Sequence, residues 1–394
     1  GDYYTSLTTD KRFIMLEDGN WDLRSRHTSD KIVKVTEDDD EEDDEEEIKE
    51  DIEDIANYIN SNNYQVILNL EGALVKNDNA IKKRGPNLSH SKITLELLKK
   101  MNVIGVTISN NHMYDYGKQG LEETIKMLKD NKIIYCGAGM NIKEATEPMQ
   151  FIIDKKKIKI YNFGWNIEET YYAKKNEPGC SPRKENVIMK SIKKEDNEFL
   201  ISIMHWGFEY NLYPQPYDIE LAHKLIDNKS VDLIIGHHPH NIQSREVYKG
   251  KEIYYSLGNF YFASRRNRFS DILFNTQVEN RCDYGMGLIL DTDSMKIVNK
   301  IVFVYNKEKC KTEILEDEQL VNILSTDISS IINSKEYISL AKKNKRNKTP
   351  ILTTNSLTNV IKLLFLYIWY FQYRMCVKYS FIRKIKDQVK KFLK

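Results

Sequence analysis

Four apolar runs in this 394-residue chain each stop on side chains able to hold a metal ion. "YQVILNLEG" stops on Asn69 and Glu71, and "VIGVTISNNH" on Asn110, Asn111 and His112. "FLISIMHW" stops on His205, and "VDLIIGHHPH" on His237, His238 and His240. Short apolar runs bounded by Gly, Asn or Pro read as buried strands. Between them lie helical patterns such as "GLEETIKMLKDN". Strands alternating with helices predict an α/β domain with parallel pairing. Parallel strands end on one edge, so the polar residues at their C-terminal ends share a crevice, the usual ligand site of open α/β sheets.

The remaining pattern agrees. Ile48, Ile52, Ile55 and Ile59 are spaced 4, 3 and 4, one apolar helix stripe. Residues 91–100 and 219–227 read as helices, with Pro214 and Pro216 breaking the chain before the second. "KIIYCGAG" reads as a strand then a turn, residues 157–163 as another strand, and "KEIYYSLGNFYF" as one or two more. "YGMGLILDTD" and "KIVNKIVFVYN" predict a closing hairpin. No internal repeat is evident.

The histidines narrow the chemistry. The chain has 8, and 3 of them fall within four residues. Neutral imidazole is a common ligand of divalent transition metals. Taken singly, each feature has a plainer explanation, because a lone histidine caps strands and an Asn-Asn pair caps helices. Together with Asp2 they offer carboxylate, amide and imidazole donors, a mixture suited to one or two ions of Mn, Fe or Zn rather than to Ca²⁺. A bridging carboxylate could hold two cations about 3.5–4 Å apart, and a histidine outside that shell, such as His112, could protonate a leaving oxygen. No GxSxG, P-loop or CxxC occurs, and the odd cysteine count, 136, 180, 282, 310 and 376, argues against a disulfide framework.

Charge is balanced at 59 basic against 58 acidic residues, which argues against nucleic acid as a partner. The balance hides two poles. Residues 37–47 are consecutive acids within an insertion at 36–47, expected to be disordered and solvated. The C-terminal region, 314–394, reads as a helical tail. Its segment 357–394 combines "LLFLYIWYF", interrupted upstream by Lys362, with "RKIKDQVKKFLK". It suits a helix packed on the domain, an interfacial helix at a membrane surface, or a short span. Trp165, Trp206, Tyr210, Tyr255 and Tyr261 flank the candidate site, either as core or as a platform for an extended chain. Lys82, Lys83 and Arg84 form a basic loop, either solvated or facing the crevice. The chain begins with Gly1 rather than Met, and an earlier strand is expected to precede it.

Several stretches, in order, carry a family resemblance. They are "GD", "NLEG", "VTISNNHMYDYGKQGLEETIKML", "YCGAGMNIKEA", "IMHWGFEY" and "IIGHHPHNIQSREVYKGKEIYYSLGNFYF". Over residues 1–313 the chain resembles the bacterial CapA-like proteins of poly-γ-glutamate capsule synthesis, which are similar to the calcineurin-like metallophosphoesterases. The resemblance implies a four-layer α-β-β-α sandwich and a metal-dependent phosphoesterase-type hydrolase. It implies Asp2, Glu71, Asn111, His205, His237 and His240 as metal ligands and His112 as the acid. His238 competes with His237, because His238-Pro-His240 has the His-x-His spacing of the superfamily. Asn69, Asn110 and Asn259 are further candidates. The first motif departs from the pattern, since Tyr3 and Tyr4 follow Asp2. The implied partners are an anionic polymer or phosphoester substrate, a membrane surface and polymer synthase subunits. The implied location is a bacterial cell envelope or cytoplasm. The other reading is a non-catalytic accessory or anchoring subunit of a membrane-bound synthase or export complex.

Overall fold

A computed structural model describes residues 13–15, 21–23, 52–76, 79–83, 87–153, 156–164, 171–261, 283–306 and 311–315, with isolated positions between 321 and 337. Asp2, the acidic insertion, Arg84, Trp165 and the segment 357–394 lie outside these residues. Two units separate along the chain, Gly1–Glu50 and Asp51–Lys394. In the first, β1 (Phe13–Met15) and β2 (Trp21–Leu23) pair antiparallel.

The second unit runs α1 (Glu53–Ser61), β3 (Val66–Asn69), β4 (Ala73–Leu74), β5 (Ser89–His90), α2 (Ile93–Lys100), β6 (Val103–Thr107), α3 (Gly117–Asp130) and β7 (Ile134–Cys136). It continues with β8 (Ala138–Gly139), α4 (Ile142–Thr146), β9 (Met149–Ile153), β10 (Lys156–Gly164), β11 (Gly179–Cys180), α5 (Glu185–Ser191) and β12 (Glu198–His205). Last come α6 (Pro216–Lys229), β13 (Leu233–His237), β14 (Arg245–Tyr248), β15 (Lys251–Tyr254), β16 (Tyr284–Asp291), β17 (Lys296–Asn306) and β18 (Lys311–Leu315).

A six-stranded sheet has the order β14-β15-β13-β12-β10-β9. Its four central strands are parallel and its two edges antiparallel. β10, β12 and β13 are largely buried on both faces, as strands covered on both sides are. One face packs Leu200, Met204, Ile234 and Ile253 against Ile188 of α5 and Ala222 and Leu225 of α6. The other packs Ile160, Ile201, Ile203 and Leu233 against Cys136, Ile67, Ile104, Met286 and Val302. Those last residues belong to two further sheets, the parallel β3-β6-β7 and the antiparallel β16-β17-β18. The helices α1, α2 and α3 bury one stripe each, α3 through Leu121, Thr124, Ile125 and Leu128. Two helical layers thus enclose two β layers, the predicted α-β-β-α sandwich.

Local details differ from the sequence reading in two places. Pro216 does not break the chain but opens α6 as its first residue, where its missing N–H has no acceptor to lose. The expected closing hairpin carries a third strand, β18, whose lysine and glutamate residues mask its alternation. β14 and β15 join through Lys249 and Gly250, both at positive φ, the geometry of a tight two-residue hairpin turn.

Candidate metal centre

Every predicted ligand among the described residues lies at or just beyond the C-terminal end of a strand, and the strands belong to two sheets. Glu71 follows β3, and Asn110, Asn111 and His112 follow β6. His205 closes β12, and His237 closes β13 beside it in register. The sheet interface therefore runs through the site.

Glu71, His205 and His238 each bring a ligand atom to within 4.8 Å of the others. His205 Nε2 lies 2.7 Å from Asn111 Oδ1 and 3.6 Å from Glu71 Oε1. The His205 and His238 rings stand 4.7 Å apart. These four side chains form one cluster, which holds His238 rather than its neighbour His237. The reason is the turn. His238 and His240 flank Pro239 with φ of +96° and +59°, a left-handed backbone that non-glycine residues adopt rarely and at a cost of order 1–3 kcal/mol each. The turn is pinned where Tyr210 N donates to Pro239 O at 2.8 Å and Trp206 N to His237 O at 3.0 Å. His240 lies outside the cluster, with its Nδ1 2.8 Å from Asn259 Oδ1, so Asn259 orients it.

The electrostatics favour a cation. Glu71 Oε1 is buried with no hydrogen-bond partner among the described residues, and so is His205 Nδ1. A buried carboxylate oxygen without a partner is costly. Burial, then the nearby His238, His237, His240 and His112, hold the His205 pKa well below the usual histidine value. His237 is pushed down to about 4, mainly by burial. The neutral His205 ring, the His238 ring beside it, a carboxylate oxygen without a hydrogen bond and an amide oxygen are a donor set that fits a transition-metal ion. In this set, Glu71, Asn111, His205 and His238 would hold it.

His112 has a different setting. Its Nδ1 lies 2.7 Å from Asp115 Oδ2. Asp115 is fully buried and also accepts from Leu88 N at 2.8 Å and from Lys83 Nζ. Lys83 Nζ stands 3.1 Å from His112 Nδ1 as well. The ammonium donates to Asp115 Oδ1, and at the shorter 2.7 Å contact a bare Nδ1 lone pair would face the carboxylate Oδ2 unfavourably. Nδ1 therefore carries a proton toward Asp115, and Nε2 is the atom left for chemistry. Asp115 was not among the residues expected from sequence; its position three after His112 was the available signal. Lys83 faces the site while Lys82 is exposed.

Other candidates act as braces. Asn110 donates to Leu70 O at 2.8 Å and accepts from His112 N at 3.1 Å, tying the ends of β3 and β6 together. Asn69 Oδ1 meets Thr107 Oγ1 at 3.5 Å. His90, unmentioned in the sequence reading, meets Glu71 O at 3.1 Å through Nε2. Trp206 and Tyr255 are buried and stacked at 5.8 Å, hence core, while Tyr210 is 41 % exposed beside His240.

Comparison with known proteins agrees with the sequence motifs. The family described as bacterial capsule synthesis protein PGA_cap matches residues 14–264. A capsule biosynthesis protein, CapA, of Bacillus anthracis is 34% identical over 191 residues, covering 47% of this chain and 46% of that protein. A PGA biosynthesis protein, CapA, of Bacillus subtilis is 32% identical over 188 residues, covering 47% and 49%. The chain thus spans about half the length of the curated relatives it matches. Among solved structures, a hypothetical protein from Thermus thermophilus aligns with a TM-score of 0.40 at 12% identity, covering 67% of this chain and 93% of that one.

Proposed function

This chain belongs to the bacterial capsule synthesis family PGA_cap, and from that premise we propose that it is a capsule biosynthesis protein with a metal-dependent phosphoesterase-type hydrolase site. One observation supports the reading above others. Four metal-competent donors, Glu71, Asn111, His205 and His238, converge from two sheets, with a buried carboxylate oxygen left without a hydrogen bond.

A bound divalent cation of the Mn, Fe or Zn class would supply Lewis-acid activation of a phosphoryl group and of water. The chain's own residues supply the rest. Asp115 fixes the His112 ring and its Nδ1 proton, so Nε2 is the atom that gives or takes a proton at the leaving oxygen. Lys83 neutralises Asp115, which keeps a net negative charge from facing an anionic substrate. Asn259 holds the His240 ring at the rim. The substrate class is a phosphoester or an anionic capsule polymer, and the setting is the bacterial cell envelope, beside a polymer synthase. Among the described residues no helix is long and apolar enough to cross a membrane.

The test is metal content per chain by elemental analysis, for wild type and His238→Ala, followed by turnover of an aryl phosphate. About one or two equivalents, lost in the variant, with metal-dependent turnover abolished by Glu71→Ala, is the expected result. Metal without turnover would replace the hydrolase with the accessory-subunit reading. No metal after reconstitution would remove both the ion and the reaction.

A further inference from the structure

We infer that Asn162 is a positioning residue that sets the spacing between the two halves of the metal centre. The inference rests on the metal reading above. Glu71 and Asn111 hang from the β3-β6-β7 sheet, whereas His205 and His238 hang from the six-stranded sheet. A site split this way works only if the sheets hold their relative place to a fraction of an ångström. The apolar core between them, Cys136, Phe151, Ile160, Ile201 and Ile203 among others, fixes their separation. Apolar contact is non-directional, so it resists sliding weakly. A directional link is needed near the strand ends.

Asn162 supplies one by a single side chain. It lies near the end of β10, opposite Ile203 of β12, and is 3% exposed. Its Oδ1 accepts from Ser109 N at 2.6 Å, across the sheet interface. Its Nδ2 donates to Ile203 O at 3.1 Å within its own sheet. Ser109 stands two residues before Asn111, and Ile203 two residues before His205. One amide thus bonds to the backbone just upstream of the two donors that touch at 2.7 Å.

The surroundings leave the amide no other place. A Cβ on Gly137 would fall 2.1 Å from Asn162 Oδ1, and one on Gly164 would fall 2.4 Å from Ser109 O. Glycine at both positions lets the two sheets' strand ends close onto each other. Ser109 Oγ and Gly164 N both donate to Ser181 O, at 2.8 and 3.0 Å, which holds Ser109 against the seam from its other side.

A purely structural role would make Asn162 a stability residue and nothing more, so the test compares affinity at matched loss of stability. The full chain is titrated with Co²⁺ by calorimetry and by its visible absorption, for wild type, Asn162→Ala, Asn162→Asp, Glu71→Ala and Leu225→Ala. Leu225 is a core control on the opposite face of the six-stranded sheet. Asn162→Ala is expected to bind about 10-fold more weakly, with an altered cobalt spectrum, as losses in outer-shell support do. Asn162→Asp keeps the acceptor for Ser109 but turns a carboxylate oxygen on Ile203 O, so it is also expected to bind more weakly, and it decides alone if the alanine variant does not fold. Leu225→Ala is expected to lose stability and keep the wild-type affinity and spectrum. Wild-type affinity and spectrum in a folded Asn162 variant would overturn the inference and leave the metal centre standing. Equal binding by Glu71→Ala and wild type would remove the metal centre itself, and the inference with it.

Discussion

Removing Asp115 should expose how the His112 side of the site is held together. Its carboxylate is fully buried and receives Lys83 Nζ, Leu88 N and His112 Nδ1. The Lys83 side chain is itself only 8% exposed. Asp115→Ala leaves a buried ammonium without its counter-charge, which costs about 3–5 kcal/mol. Lys83→Met leaves the carboxylate with two remaining donors and should cost about 1–3 kcal/mol. The double variant has no uncompensated charge. It should therefore cost about as much as Asp115→Ala alone rather than the sum, a coupling equal to the Lys83→Met cost, about 1–3 kcal/mol. Urea unfolding followed by tryptophan fluorescence, to which buried Trp206 contributes, measures all four corners of the cycle. Costs that add to within about 0.5 kcal/mol would refute the reasoning, because they would mean that Lys83 and Asp115 act independently.

Other outcomes follow from the same geometry. Mn²⁺ at about 100 times its dissociation constant should stabilise wild type by about 2.7 kcal/mol, seen as a rise in Tm, and Glu71→Gln should show no such rise; an equal rise would place the ion elsewhere. Gly164→Ala drives a Cβ to 2.4 Å from Ser109 O, so it should cost about 1–3 kcal/mol and weaken metal binding; a fully tolerated alanine would show that the strand ends do not need their present approach. The metal-free protein should lose stability as pH falls from about 6.5 toward about 4, because the folded state keeps His237 and His205 neutral while the unfolded chain takes up protons. His237→Gln should flatten part of that fall in urea titrations at each pH, and an unchanged profile would exclude His237 as a source.

Legibility differed by the range of the interaction involved. The strands were readable because alternation and apolar runs are local, and so were Glu71, Asn111, His112 and His205, which simply end those runs. The choice between His237 and His238 was not readable. It turns on a left-handed φ of +96° at His238, imposed by a turn that Tyr210 and Trp206 pin from elsewhere in the chain. Asn162 gave no signal at all, since an asparagine inside an apolar strand means nothing until Ser109, 53 residues away, is placed against it. Asp115 lay in plain view within "NNHMYD" but reads as a turn residue until it is seen to be buried beneath His112.

The cost of this architecture itself favours a ligand. His238, His240 and Tyr210 all hold left-handed backbone without being glycine, at a cost of order 1 kcal/mol or more each. Glu71 Oε1 and His205 Nδ1 are buried with no hydrogen bond among the described residues. A turn that only closed a strand could use Gly or Asn and avoid the strain. A loop that only linked two sheets would not bury a carboxylate oxygen against a histidine held neutral, as Glu71 Oε1 lies against His205. These costs fall on one small region at the seam, where a cation would offset them by pairing with the carboxylate and the imidazoles together. Turnover is not required for this, because an accessory subunit that used the cation for binding would need the same residues in the same places. Chelation should therefore lower the stability of the protein as isolated, and Glu71→Gln should erase the difference between chelated and loaded forms.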